Sequence, residues 1–147
     1  MIAVELEFDA VHEALFRKAD QLRLALEARV KAKLAGEVLR TRSGALANSI
    51  SSTIETSDNA LILSVSSVGI PYAAIQEYGG RTAAHEIVAV KAKALAFTIG
   101  GANVFAKRVH HPGSTIPARS YLGSAVSEMR DEIETGLKGA LREALGR

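Results

Sequence analysis

The sequence predicts an α+β fold, a mainly antiparallel β-sheet packed by a long N-terminal helix and a C-terminal helix. Two segments repeat apolar residues every three or four positions, as a helix with one buried face requires. Between them lie short runs that alternate apolar and polar residues, the period of a half-buried strand. Glycine and proline separate those runs, so the strands are joined by turns and the single domain spans residues 1–147.

Residues 2–8 alternate strictly: Ile2, Val4, Leu6 and Phe8 fall on one side, Ala3, Glu5 and Glu7 on the other. This reads as a first strand. Asp9 stands where an N-cap belongs, and Val11, Leu15, Ala19, Leu22, Leu26, Val30 and Leu34 then mark a long helix that ends near Ala35, with Gly36 as its stop. After the polar stretch 40–44, residues 43–49 suit a short helical turn in which Ser43-Gly44 is a turn or cap. Ile50–Ile54 and Ala60–Val68 form a hairpin around Asp58-Asn59. Pro71 breaks the second strand, and Tyr72–Tyr78 makes two helical turns closed by Gly79-Gly80, a cap or hinge.

Three strand-like runs follow, 86–90, 95–99 and 104–109, the last two joined by Gly100–Asn103. A loop with two prolines leads to the final helix from about Ser120, where Leu122, Val126, Met129, Ile133, Leu137 and Leu141 share a face. Gly136 and Gly139 weaken that helix, or else admit a close neighbour.

Composition narrows the function. The chain has no cysteine, which excludes disulfides, thiolate nucleophiles and cysteine-bound zinc. No stretch is long and apolar enough for a membrane span, and the first residues lack the basic start and apolar run of a secretory signal. Charge is unevenly placed. Residues 81–119 hold Arg81, Lys91, Lys93, Lys107, Arg108 and Arg119 against Glu86 alone, a net +5; twelve basic and fifteen acidic residues elsewhere give −3. This segment is expected as an antiparallel excursion with its lysines outward. Those lysines could line a DNA channel, meet an acidic face of another subunit, or form an ordinary solvated surface.

No catalytic constellation emerges. His85-Glu86 and His110-His111 could meet across a sheet, but nothing fixes the three or four converging ligands that zinc needs. No serine lies in a nucleophile elbow, Gly100-Gly101 lacks the rest of a phosphate loop, and Glu77 and Glu86 have no defined carboxylate partner. Aromatic residues are 5% of the chain, too few for base stacking, and no helix-turn-helix pattern is present. The sequence therefore predicts a protein that is not an enzyme and takes no cofactor, metal or small-molecule substrate.

Three stretches in order carry a resemblance: Ser43-Gly44, Leu46 and Ser49-Ile50; then Tyr72-Ala73 and Glu77-Tyr78-Gly79; then Pro117-Ala118-Arg119 and Leu122. In this pattern the chain resembles the tail-component or tail-completion family of tailed bacteriophages, prophages and gene transfer agents. Ser120 stands in place of the family's usual proline and Tyr121 in place of phenylalanine. The resemblance implies a structural virion protein of the neck or tail, assembled in the bacterial cytoplasm. Its partners would be further copies of itself in a ring, expected to be hexameric, and neighbouring neck or tail proteins, with non-specific contact to passing DNA. The rivals are a nucleic-acid-binding protein using residues 81–119 and a small metal-dependent hydrolase using His85 or His110. In the structural role, Glu77–Gly79 would cap the short helix and turn the chain, while Arg119 and Tyr121 anchor the last helix against the sheet.

Overall fold

The computed structural model describes residues 8–40, 43–57 and 60–146. Residues 2–7 of the strand expected at 2–8 and the hairpin turn at Asp58-Asn59 lie outside the described residues. Helix α1 (Phe8–Ala32) runs into a π-helical turn, Lys33–Glu37. Phe8 and Asp9 are already inside α1, so Phe8 does not end a strand and Asp9 is a first-turn residue rather than the cap. The π-turn closes where Val38 donates its N–H to the Lys33 carbonyl at 2.9 Å, and Gly36, at φ +136°, ends the helical path as its lack of a side chain allows.

A short helix α2 (Ala45–Asn48) leads into the hairpin β1 (Ile50–Ser57) and β2 (Ala60–Ser67). Its antiparallel register sets Ile50 opposite Ser67 and Ser57 opposite Ala60. Helix α3 (Ala73–Tyr78) follows, then β3 (Gly80–Arg81), β4 (His85–Val88), β5 (Leu95–Ile99), β6 (Ala102–Ala106), β7 (Arg108–His111), β8 (Thr115–Ile116) and helix α4 (Leu122–Ala144). The fold is α+β. Among the described residues the single sheet expected from sequence is instead four two-stranded antiparallel ribbons: β1–β2, β3–β8, β4–β7 and β5–β6. Lys107 divides the expected run 104–109 into β6 and β7, which pair with different strands. The last three ribbons nest in sequence as one arm, opened and closed by β3–β8.

The core lies where α1, α4 and the base of the hairpin meet. Leu26, Val30 and Leu34 of the α1 segment pack with Ile50, Tyr121, Ala125 and Met129. Residues 22, 26, 30 and 34 are one helical stripe, so the periodicity seen in the sequence is the buried face. Gly136 lies against this stripe. A Cβ there would sit 3.0 Å from Lys18 Cε and 3.3 Å from Leu22 Cδ1, so the glycine admits α1 closely; Gly139 faces open space.

Polar pairs fix the same packing. Ser52 of β1 donates to Glu27 (2.6 Å) and accepts from Arg23 (3.0 Å). The buried Lys33 ammonium meets Glu128 of α4 at 2.6 Å, and Arg29 grips the same carboxylate at 2.7 Å.

Candidate functional site

The second and third motif stretches come together at the start of α4. Glu77, on the last turn of α3, is 5% exposed. Its Oε2 accepts the backbone N–H groups of Tyr121 and Leu122, both at 2.8 Å. Its Oε1 accepts Gly123 N–H at 2.9 Å and the Ser120 hydroxyl at 2.6 Å. Ser120 Oγ in turn accepts Ser124 N–H at 3.1 Å. A helix start leaves its first N–H groups without internal partners, and here two side chains satisfy them all. Glu77 thus caps α4 from 44 residues away in sequence rather than its own short helix.

Burial works to raise the Glu77 pKa. The hydrogen bonds from Ser120, Leu122, Gly123 and Tyr121 outweigh it and hold the carboxyl below its ordinary value. The positive end of the α4 dipole favours the same charged form. Tyr121 is wholly buried, its Oη donating to the Ala73 carbonyl at 3.4 Å. Burial, then the Glu77 charge, push that phenol upward.

The backbones close the joint. Gln76 O accepts Arg119 N–H at 2.8 Å. Gly79 (φ +72°) lies so near the third stretch that a Cβ would sit 2.7 Å from Ala118 N and 2.9 Å from Ile116 O. Gly79 is therefore a packed corner rather than a hinge. Tyr121 anchors α4 as expected, but Arg119 contributes its backbone while its side chain is exposed. Pro117 is exposed, and Tyr78 projects into solvent at 80% exposure.

The first motif stretch lies alongside. Gly44, at φ +74°, precedes α2, and the exposed Ser43 accepts Ala45 N–H through Oγ at 3.4 Å. Ser49 shares a 2.7 Å hydrogen bond with Ser67 of β2. Between this stretch and α3 is a cavity of about 280 Å³, walled by Leu34, Leu39, Leu46, Ala47 and Tyr72, with Arg40, Ser43 and Gln76 as its main polar groups. Gln76 Oε1 is buried and has no hydrogen-bond partner among the described residues.

The basic residues occupy the arm. Arg81 is on β3, Lys91 and Lys93 lie between β4 and β5, Lys107 joins β6 to β7 and Arg108 opens β7; all are exposed. Among the described residues only Arg108 of this set has an acidic partner, Glu86 at 3.8 Å. The arm also exposes Val90 (88%), Ile99 (62%) and Phe105 (70%).

The histidines do meet across β4–β7, where His85 is opposite His111 and Glu86 opposite His110. Adjacent residues of a strand point to opposite faces, so the four divide two and two. His85 and His111 stack at 5.0 Å, while His110 bonds Glu86 at 2.9 Å. Among the described residues no group of three or more histidines and acids is placed to hold a metal ion.

The sequence pattern singled out Glu77 and Tyr121 but not the bond between them, nor the cavity and Gln76. Only the proximity of the two stretches in space reveals these. No helix of the described residues is long and apolar enough to cross a membrane. No family model, curated protein or solved structure matches the chain.

Proposed function

We propose that the chain is a non-catalytic building block of the neck or tail of a tailed-phage-like particle, joining copies of itself to neighbouring proteins. The observation that carries this reading is the convergence of the motif stretches: residues 43–50, 72–79 and 117–122 surround one joint, which supports treating their order as the signature of a shared fold. That joint holds the root of a cationic arm with exposed apolar residues. Such an arm suits binding to another surface better than it suits chemistry.

Assembly about a tail axis places one patch of each subunit on a different patch of the next, closing a ring, here a hexamer. Electron microscopy of particles carrying a labelled chain tests the proposal. Label at the neck or tail, in a ring, is expected; label absent from the particle overturns it.

A second reading is favoured by one observation, the four arm cations Arg81, Lys91, Lys93 and Lys107 without an acidic partner among the described residues. Such a surface attracts phosphates without reading sequence. Salt-titrated DNA binding separates the two readings. Tight binding by the isolated chain, lost with Lys91→Glu, Lys93→Glu and Lys107→Glu, would make nucleic acid the partner.

A further inference from the structure

We propose that the stacked histidines His85 and His111 form a pH-sensitive catch at the root of the arm, closed while His111 is neutral and released when it takes a proton. This goes beyond the assembly reading, since it concerns how the arm is held whatever partner it meets.

The root is a joint between two separately paired ribbons. Segments 82–84 and 112–114 link β3–β8 to β4–β7. Across the joint, Thr82 N–H donates to Ser114 O at 2.9 Å and Ser114 N–H to Thr82 Oγ1 at 2.7 Å. Pro112 has no N–H to add. Gly113 (φ +85°) lies so near the facing segment that a Cβ would sit 2.2 Å from Thr82 O. His111 holds it there, its Nδ1 accepting Gly113 N–H at 3.1 Å.

An imidazole nitrogen accepts only when it carries no proton, so the closed joint requires neutral His111 with its proton on Nε2. His85 differs. Its Nδ1 lies 3.1 Å from the Ala83 carbonyl, which can only accept, so that nitrogen carries a proton and its bond survives full protonation. His111 is therefore the member of the pair that switches.

Charge acts in the same direction. β4 brings His85 to the face of His111 and Glu86 to the other face, where His110 and Arg108 of β7 meet it at 2.9 and 3.8 Å. β3 carries the exposed Arg81, while segments 82–84 and 112–114 and strand β8 carry no titratable side chain. No carboxylate among the described residues pairs with His111. A proton there adds charge beside a ring 5.0 Å away, in a segment already net +5. The catch is thus complete above the range in which imidazoles titrate and is lost as pH falls through it. His110 responds oppositely, since protonation strengthens its pairing with Glu86. The β4–β7 ribbon stays paired while the joint beneath it loosens.

Single-amide hydrogen exchange of the full chain, corrected for intrinsic rates, tests the catch at about pH 7.5 and about pH 5. Protection of Gly113, Thr82 and Ser114 is expected to fall by about three- to tenfold on acidification, the worth of one hydrogen bond, while the β1–β2 amides keep theirs. In His111→Asn, whose side-chain oxygen accepts without titrating, the loss is expected to vanish; in His110→Asn it is expected to remain. Unchanged protection in the wild type overturns the proposal, as does an equal loss in His111→Asn or a response abolished in His110→Asn. A loss confined to Gly113 also overturns it, because the joint then stays shut, and so does a loss shared with β1–β2, because the whole chain is then opening.

Discussion

Glu77 accepts four hydrogen bonds at the start of α4, three from backbone N–H groups and one from the Ser120 hydroxyl, and all of them need its acceptor oxygens. Glu77→Ala leaves buried donors at the start of α4 and is expected to cost about 2–4 kcal/mol, with Glu77→Gln costing less, about 1–2 kcal/mol. Urea denaturation measures both. The sign with pH follows from the lowered pKa: the contribution is complete above the ordinary glutamate range and is lost as pH falls through the folded value. The wild-type advantage over Glu77→Gln should therefore narrow on acidification; an advantage that widened would refute the charged cap. Gln76→Leu acts oppositely, replacing an unpaired buried acceptor by an apolar group of similar size, and should stabilise the free chain by about 1 kcal/mol. Calorimetry of the free protein checks it.

At the scale of elements, the close approach of α3 to the loop before α4 leaves no room for a side chain at Gly79. Gly79→Ala combines a positive φ with a backbone clash and should cost more than about 2 kcal/mol, read as a lower denaturation midpoint; an unchanged midpoint would mean that the corner can open. Both long helices and the β1–β2 hairpin were legible in the sequence because each carries its own periodicity, from Leu22, Leu26, Val30 and Leu34 to Leu61 and Leu63. The splitting of the remaining strands was not legible. Lys107 sits in a run that reads as continuous, and only the pairing of Ala106 with Leu95 and Arg108 with Val88 shows that the chain changes partner there. The cap was hidden for a related reason: Glu77 and Ser120 are ordinary polar residues until α3 and α4 meet. Ser120, where the resemblance has proline, is a gain here, since its hydroxyl bonds Glu77 and its Oγ takes Ser124 N–H.

Over the whole molecule, the helical body and the arm are two parts that substitutions can address independently. The body owes its stability to the α1–α4 core, whereas β5 and β6 pack chiefly on one another, and an isolated two-stranded ribbon is marginal in water. The arm exposes Phe105, Ile99 and Val90 beside its cations, apolar area that a covering surface would remove from water. Lys91, Lys93 and Lys107 are all exposed, and reversing them together to glutamate should change unfolding free energy by only about 0.5 kcal/mol per site or less. Incorporation of the variant into particles should nevertheless fail, as measured by its stoichiometry in purified particles; wild-type stoichiometry would remove the arm from the assembly. The chemistry of the lost partner can then be read from rescue. An acidic protein face permits compensation, because lysine substitutions in that face restore attraction to the reversed arm. Nucleic acid permits none, since every phosphate repels the new glutamates whatever the sequence.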